Sequence, residues 1–341
     1  MASEDELRAT AAAMVAGGRG ILAIDETSPT CSKRFTQAGI ASTEETRRAY
    51  RQMLVTTSGV SEYISAAILF DETIRQKTSD GRPFVDALTA EGIIPGIKVD
   101  TGARPLAKAP GETMTEGLDR LRERLKEYSE LGARFTKWRA VIRIGPGLPS
   151  SYCIQTNAHA LGRYAGLAQE AGLVPIVEPE VLMDGDHDLQ RSQEVTERVL
   201  LAVFDELSAQ RCLLEGIILK PNMVTPGSDS RAQVDATEVA THTLATLRRR
   251  VPAAVPGIAF LSGGQTGEEA CANLNAMVSR GPLPWELSFS FGRALQYPAL
   301  QIWAGEAANV PAAELAFLHR ARMSSLARTG RYSESKERDL V

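Results

Sequence analysis

Short apolar, β-branched runs alternate along the chain with longer stretches in which apolar residues recur every three or four positions. The runs are 20–25 (GILAID), 63–70 (YISAAILF), 93–100 (IIPGIKVD), 134–141 (RFTKWRAV), 173–179 (LVPIVEP), 216–221 (GIILKP), 257–262 (GIAFLS) and 286–291 (ELSFSF). Near-continuous hydrophobicity implies strands buried on both faces, the habit of parallel sheets. Between the runs lie helical stripes. Leu118, Leu121, Leu125 and Tyr128 form one, with Lys, Arg and Glu on the other side. Thr113 and Glu116 read as its capping box and Gly132 as its stop. Val195, Val199, Ala202 and Leu207 form a second stripe, and Val239, Thr243, Leu244 and Leu247 a third. Eight strands in strict alternation with helices predict an α/β fold closed into a (β/α)8 TIM barrel, rather than an open doubly wound sheet. No linker interrupts the pattern, so one domain over 1–341 is expected, with a polar, flexible tail over 333–341.

In such barrels the chemistry sits at the C-terminal ends of the strands. Here those ends carry Asp25, Lys98, Lys137 with Arg139, Glu178 with Glu180, Lys220 and Ser262, and Arg293 follows the last strand. Each alone has a structural reading. Asp25 could cap a helix, Glu178-Pro179-Glu180 could be a solvated turn, and Lys137 with Arg139 could decorate an edge strand. Their recurrence at one end of a barrel asks for a common cause, because buried charge is costly unless it is paired or serves a site. Lys220 is the sharpest case. It ends a strand with no polar alternation and precedes Pro221. A lysine desolvated beside another cation, for which Lys137 is the candidate, loses basicity and becomes a nucleophile for ketones, forming a Schiff base. Ser262-Gly263-Gly264-Gln265 and Gly292-Arg293 close the last two strands, where barrels of this kind hold phosphate.

Charge sharpens this reading. The chain has 38 Lys and Arg against 42 Asp and Glu, yet Lys98, Lys137, Arg139, Lys220 and Arg293 make the expected mouth cationic. That contrast points to a small anionic substrate with more than one phosphate, with Asp25, Glu178 and Glu180 moving protons. No basic stretch suggests nucleic acid or a membrane surface, and no window of 18 apolar residues suggests a span. Four dispersed cysteines read as reduced thiols, and the N-terminus lacks a secretory pattern, so a cytoplasmic location is expected. His159, His187, His242 and His319 form no zinc-binding spacing, so neither metal nor other cofactor is expected.

The motifs GRGILAIDE, LFDET, DGRPF, GIKVD, KWR, LVPIVEPE, DGDHDL, LKPNMVTPG, FLSGGQ, NLNAM and FSFGRALQ stand in this order over 18–332. With them the chain resembles the class I fructose-bisphosphate aldolases, particularly the plastid and bacterial branch. The resemblance implies reversible cleavage of fructose 1,6-bisphosphate to dihydroxyacetone phosphate and glyceraldehyde 3-phosphate, in glycolysis, gluconeogenesis or carbon fixation. It implies that Lys220 is the Schiff-base lysine and that Glu178 moves protons around it, assisted by Glu180 and Lys137. Asp25 would handle the proton of the C4 hydroxyl. Ser262, Gly263, Gly292 and Arg293 would serve the dihydroxyacetone-phosphate side, and Gly264 and Ser290 would bind substrate as well. Thr30, Arg34, Lys98 and Arg139 would line the other end of the sugar. Arg47 aligns with a substrate-binding position, although Glu44, Glu45 and Arg48 beside it favour a solvated helix face. A homotetramer is implied as well. Thr27, Thr30, Thr101 and Phe291 depart from residues common in the family. The chain also lacks the C-terminal tyrosine of animal members, having no aromatic residue after Tyr332. Proton exchange at the enamine would then fall to Glu178, Glu180 or another barrel residue. A related Schiff-base enzyme acting on sedoheptulose bisphosphate fits the same mouth, and a scaffold role beside catalysis stays open.

Overall fold

The structure is a computed structural model and describes residues 3–338. In chain order the strands are β1 (Gly20–Ala23), β2 (Ile64–Leu69), β3 (Ile94–Lys98), β4 (Gly102–Pro105), β5 (Thr113–Glu116), β6 (Phe135–Ile142), β7 (Val174–Val181), β8 (Ile218–Leu219), β9 (Gly257–Phe260) and β10 (Glu286–Phe289). Eight of them form one sheet in the order β1-β2-β3-β6-β7-β8-β9-β10, every recorded pairing parallel. The Ala23 amide donates to the Phe291 carbonyl at 3.1 Å just past β10, which closes the barrel. Each barrel strand lies within one of the apolar runs or within a residue or two of it.

Apolar burial falls in two layers. The larger lies between strands and helices. A smaller cluster fills the barrel: Ile21, Ala23, Ala66, Ile68, Phe135, Val174, Ile176, Ile218 and Ala259. Leu7, Ala11 and Met14 of helix Glu4–Met14 join that inner cluster and close its floor. Packing inside is tight. At Gly96 a Cβ atom would come within 2.3 Å of the Phe135 ring, so only glycine fits opposite that phenylalanine.

One expectation needs correction. Thr113–Glu116 caps no helix; it is β5, paired antiparallel with β4 in a hairpin between β3 and β6. Its hydroxyls are used elsewhere, Thr115 donating to the Arg139 carbonyl at 2.7 Å and Thr113 to the Val141 carbonyl at 3.2 Å. The helix begins at Leu121 without a side-chain cap, and Gly132 follows its end at φ +98°. The described part of the tail is seated on the barrel's last long helix. Glu334–Arg338 forms a short 3-10 turn, and Glu337 pairs with Arg320 at 2.5 Å and with His319 at 3.1 Å. Paired charge, rather than apolar area, seats it; residues 339–341 lie outside the described part.

Candidate active site

Strand alternation turns the barrel interior from apolar to charged along its axis. On β6, Phe135 belongs to the inner apolar cluster, while Lys137 and Arg139, two and four residues on, line a cavity at the mouth. On β7, Val174 and Ile176 give way in the same manner to Glu178 and Glu180. Ile21 and Ala23 lead to Asp25, and Ile218 leads to Lys220. The cavity measures about 510 Å³ and opens at the C-terminal ends of the strands.

At its bottom four charged side chains form a chain of contacts. Lys137 Nζ lies 2.6 Å from an Asp25 oxygen and 3.2 Å from one of Glu178. Lys220 Nζ lies 3.3 Å from the other Glu178 oxygen. All four are nearly inaccessible to solvent. Burial alone would push the Asp25 carboxyl up, but Lys137 and Lys220 outweigh it and hold it at about 2. The same contest holds Glu178 below the usual carboxylate range, with Lys137, Lys220 and Arg139 overcoming burial. Burial works against the charge on Lys137 too, and Asp25 and Glu178 reverse it, keeping this ammonium more basic than an ordinary lysine.

Around this centre Arg139 pairs with Glu180, and Lys98 pairs with Asp100 while donating to its carbonyl at 2.8 Å. Asp100 also accepts from the Arg139 amide at 3.2 Å, tying β3 to β6. On the far side Gly263 and Gly264, at φ +58° and +98°, turn the chain after β9. Positive φ is open to glycine at little cost. A Cβ at Gly264 would lie 3.7 Å from the Arg293 guanidinium, so the two loops face each other closely. Arg293 opens helix Arg293–Trp303, and Gly292 precedes it. The buried Ser290 hydroxyl has no hydrogen-bond partner among the described residues and lines the cavity.

Every sequence-predicted site residue but one lines this cavity, including Thr30, Arg34 and Ser262. Arg47 does not. Its guanidinium grips the Glu72 carboxylate, with contacts of 2.9 and 2.5 Å. It lies outside the lining of the cavity, and its side chain is only 12% exposed. Two acids at the mouth escaped the sequence reading. Asp100 stands two residues after Lys98, a spacing that places both on one face. Glu26 follows Asp25 directly, and simple alternation would turn it away from the site. With them the cavity is lined by six cations and five carboxylates, so its charge is largely paired. Among the described residues, Arg293 alone of those cations has no carboxylate within ion-pair distance.

The family model for fructose-bisphosphate aldolase class-I matches residues 6–340. This chain belongs to the class I fructose-bisphosphate aldolases. It is 56% identical over 331 residues to a probable fructose-bisphosphate aldolase class 1 of Xanthomonas axonopodis pv. citri, covering 97% of this chain and 99% of the relative. It is 53% identical over 328 residues to cytosolic fructose-bisphosphate aldolase 4 of Arabidopsis thaliana, covering 96% and 84%. Among solved structures, the Plasmodium falciparum fructose-bisphosphate aldolase, determined with TRAP and a small-molecule inhibitor, superposes with a TM-score of 0.96. It shares 47% identity over 97% of both chains. As a class I aldolase the chain is a lyase. It cleaves fructose 1,6-bisphosphate reversibly to dihydroxyacetone phosphate and glyceraldehyde 3-phosphate, through the lysine Schiff base general to its class. Among the described residues no group of three or more His, Cys, Asp or Glu is arranged to hold a metal ion, and no described helix is long and apolar enough to cross a membrane.

Proposed function

We infer that the Schiff base forms on Lys220, with Glu178 and Asp25 as its principal proton carriers. The observation that carries this reading is the Glu178 carboxylate, held between Lys137 and Lys220 at 3.2 and 3.3 Å. Lys220 Nζ attacks the C2 carbonyl of the open-chain ketose, and loss of water from the carbinolamine leaves an iminium. Glu178 lies within reach of a proton on that nitrogen or on the departing hydroxyl. Lys137 orients both acids, and Arg139 steadies Glu180 beside them. The iminium then serves as the electron sink. Asp25, ionised because Lys137 and Lys220 outweigh its burial, takes the proton of the C4 hydroxyl as the C3–C4 bond breaks. Glyceraldehyde 3-phosphate leaves, and the enamine gains a proton at C3, delivered by Glu178 or Glu180. Hydrolysis then releases dihydroxyacetone phosphate.

Ser262, Gly263, Gly264, Ser290, Gly292 and Arg293 take the phosphate on the dihydroxyacetone side. Arg293, without a carboxylate partner among the described residues, and the glycine turn beside it favour this. Thr30, Arg34, Lys98 and Arg139 take the other end. Arg47 is left out, since Glu72 occupies it. We read the chain as one cytoplasmic catalytic domain that assembles as a homotetramer, as the family resemblance implies. The deciding experiment is borohydride reduction with dihydroxyacetone phosphate followed by peptide mapping. The label is expected on Lys220 and should vanish in Lys220→Ala, with kcat down by several orders of magnitude. A label on another lysine of the wild-type protein overturns the assignment.

A further inference from the structure

Glu26 and Gln296 take no part in the steps above, yet they join three walls of the site. The Glu26 carboxylate, 9% exposed, pairs with the Arg34 guanidinium and accepts from Gln296 Nε2 at 3.0 Å. The same Nε2 donates to the Ala23 carbonyl, two residues before Asp25. Gln296 Oε1 accepts from the Tyr50 hydroxyl at 3.2 Å. The amide orientation follows from these partners, since a carbonyl and a carboxylate can only accept. Gln296 is 2% exposed and stands three residues after Arg293 in the same helix. One amide thus ties the end of β1, the helix that opens with Arg293, and the carboxylate that grips Arg34. From behind, the Glu26 carbonyl accepts from Arg51 Nη2 at 2.7 Å. Arg34 itself is still 28% exposed and lines the mouth. No other carboxylate among the described residues pairs with it.

We propose that Glu26, seated by Gln296, is a positioning residue that holds the Arg34 guanidinium ready for the substrate phosphate farther from the Schiff base. The inference rests on the reading that gives Arg34 that phosphate. A long side chain fixed before binding loses less freedom on binding than one that must be ordered by the ligand. A competing effect has the opposite sign. Glu26 is also an anion in the mouth, and its field alone would repel phosphate. Removing its charge would then tighten binding of the bisphosphate if the field dominates, and weaken it if positioning dominates.

The test is steady-state kinetics of Glu26→Gln on fructose 1,6-bisphosphate and on fructose 1-phosphate, which lacks the far phosphate. The bisphosphate KM should rise roughly ten-fold, as for a loosened charge-assisted phosphate contact, with kcat within about two-fold. The fructose 1-phosphate KM should stay at its wild-type value. In an Arg34→Ala background the same change should add nothing, because residues acting through one contact are not additive. Gln296→Met, which keeps the volume but removes both donors, should shift KM in the same selective direction by less, and it answers the question if Glu26→Gln does not fold. A lower or unchanged bisphosphate KM, or an equal rise on both substrates, overturns the positioning role. If the single variant Arg34→Ala leaves the bisphosphate KM unchanged, the underlying reading of Arg34 fails instead.

Discussion

Lys137 carries more of the site's electrostatics than its position beside Lys220 suggests. It touches both acids assigned to proton transfer, in a place where little solvent screens the contact. Replacing it by Met keeps the bulk and removes the nearest cation. Burial then meets less opposition, and both carboxyls titrate at higher pH. The acid limb of kcat/KM, which reports the free enzyme, should move up by about one unit or more in Lys137→Met, with kcat roughly a hundred-fold lower. A limb at the wild-type position would show that Lys137 does not set these acids. Stability gives an independent check. Asp25 is held at about 2 against an ordinary 3.8. A depressed carboxyl stabilises the fold above its unfolded value, so this contribution is present above about pH 4 and is lost as pH falls toward 2. In the variant this contribution should be smaller, and its loss should be complete at a higher pH.

The element scale separates what could be read from the chain from what could not. Barrel strands are legible because both faces are buried and the runs stay apolar until the catalytic end. Charged residues two apart, as in Lys137 with Arg139 and Glu178 with Glu180, then stand out against that background. The hairpin β4–β5 was not legible. Its strands are four residues each and mostly exposed or half-buried on β4, so no apolar run announces them. Thr113 and Glu116 matched a helix cap only because short polar motifs are degenerate, and the backbone of β6 decided their fate. Arg47 and Glu72 are 25 residues apart in sequence, and a pairing at that distance leaves no local mark. Arg293 was legible as the residue after a strand and a glycine. The N-terminus of a helix favours anions, and the Gly263–Gly264 turn faces it. Arg293→Ala should therefore raise KM for fructose 1,6-bisphosphate by roughly ten- to a hundred-fold, the size of a lost charge-assisted contact. Its effect on unphosphorylated fructose should be slight. Equal losses on both sugars would place the residue in the fold or the chemistry rather than on the phosphate.

At the scale of the whole molecule, the tail shows how stability and catalysis are partitioned. Lys220, Glu178, Glu180 and Asp25 sit on or just past strands that share one closed sheet, and an apolar floor lies beneath them. The described part of the tail attaches through Glu337 to Arg320 and His319 on the last long helix. Arg320 is buried, with Glu268 at 3.8 Å as its remaining acid once Glu337 is gone. Truncation after Tyr332 therefore leaves a guanidinium half-compensated out of water, a loss of about 1–3 kcal/mol. The expected outcome is a Tm lowered by a few degrees, reproduced by Glu337→Ala alone. Cleavage is a different matter, because proton transfer needs groups within hydrogen-bond reach of the reacting atoms, and under the proposed assignment Glu178, Glu180 and Asp25 supply them from the barrel. The truncated enzyme should keep kcat/KM within about three-fold of the full chain, the range of changes away from the chemistry. A drop of ten-fold or more, with circular dichroism unchanged and Glu337→Ala still active, would mean that the removed segment shares in the proton exchange. An unchanged Tm in both variants would instead show that Glu337 is a surface contact of no consequence, and that Arg320 is held by its helix and by Cys271 at 3.4 Å.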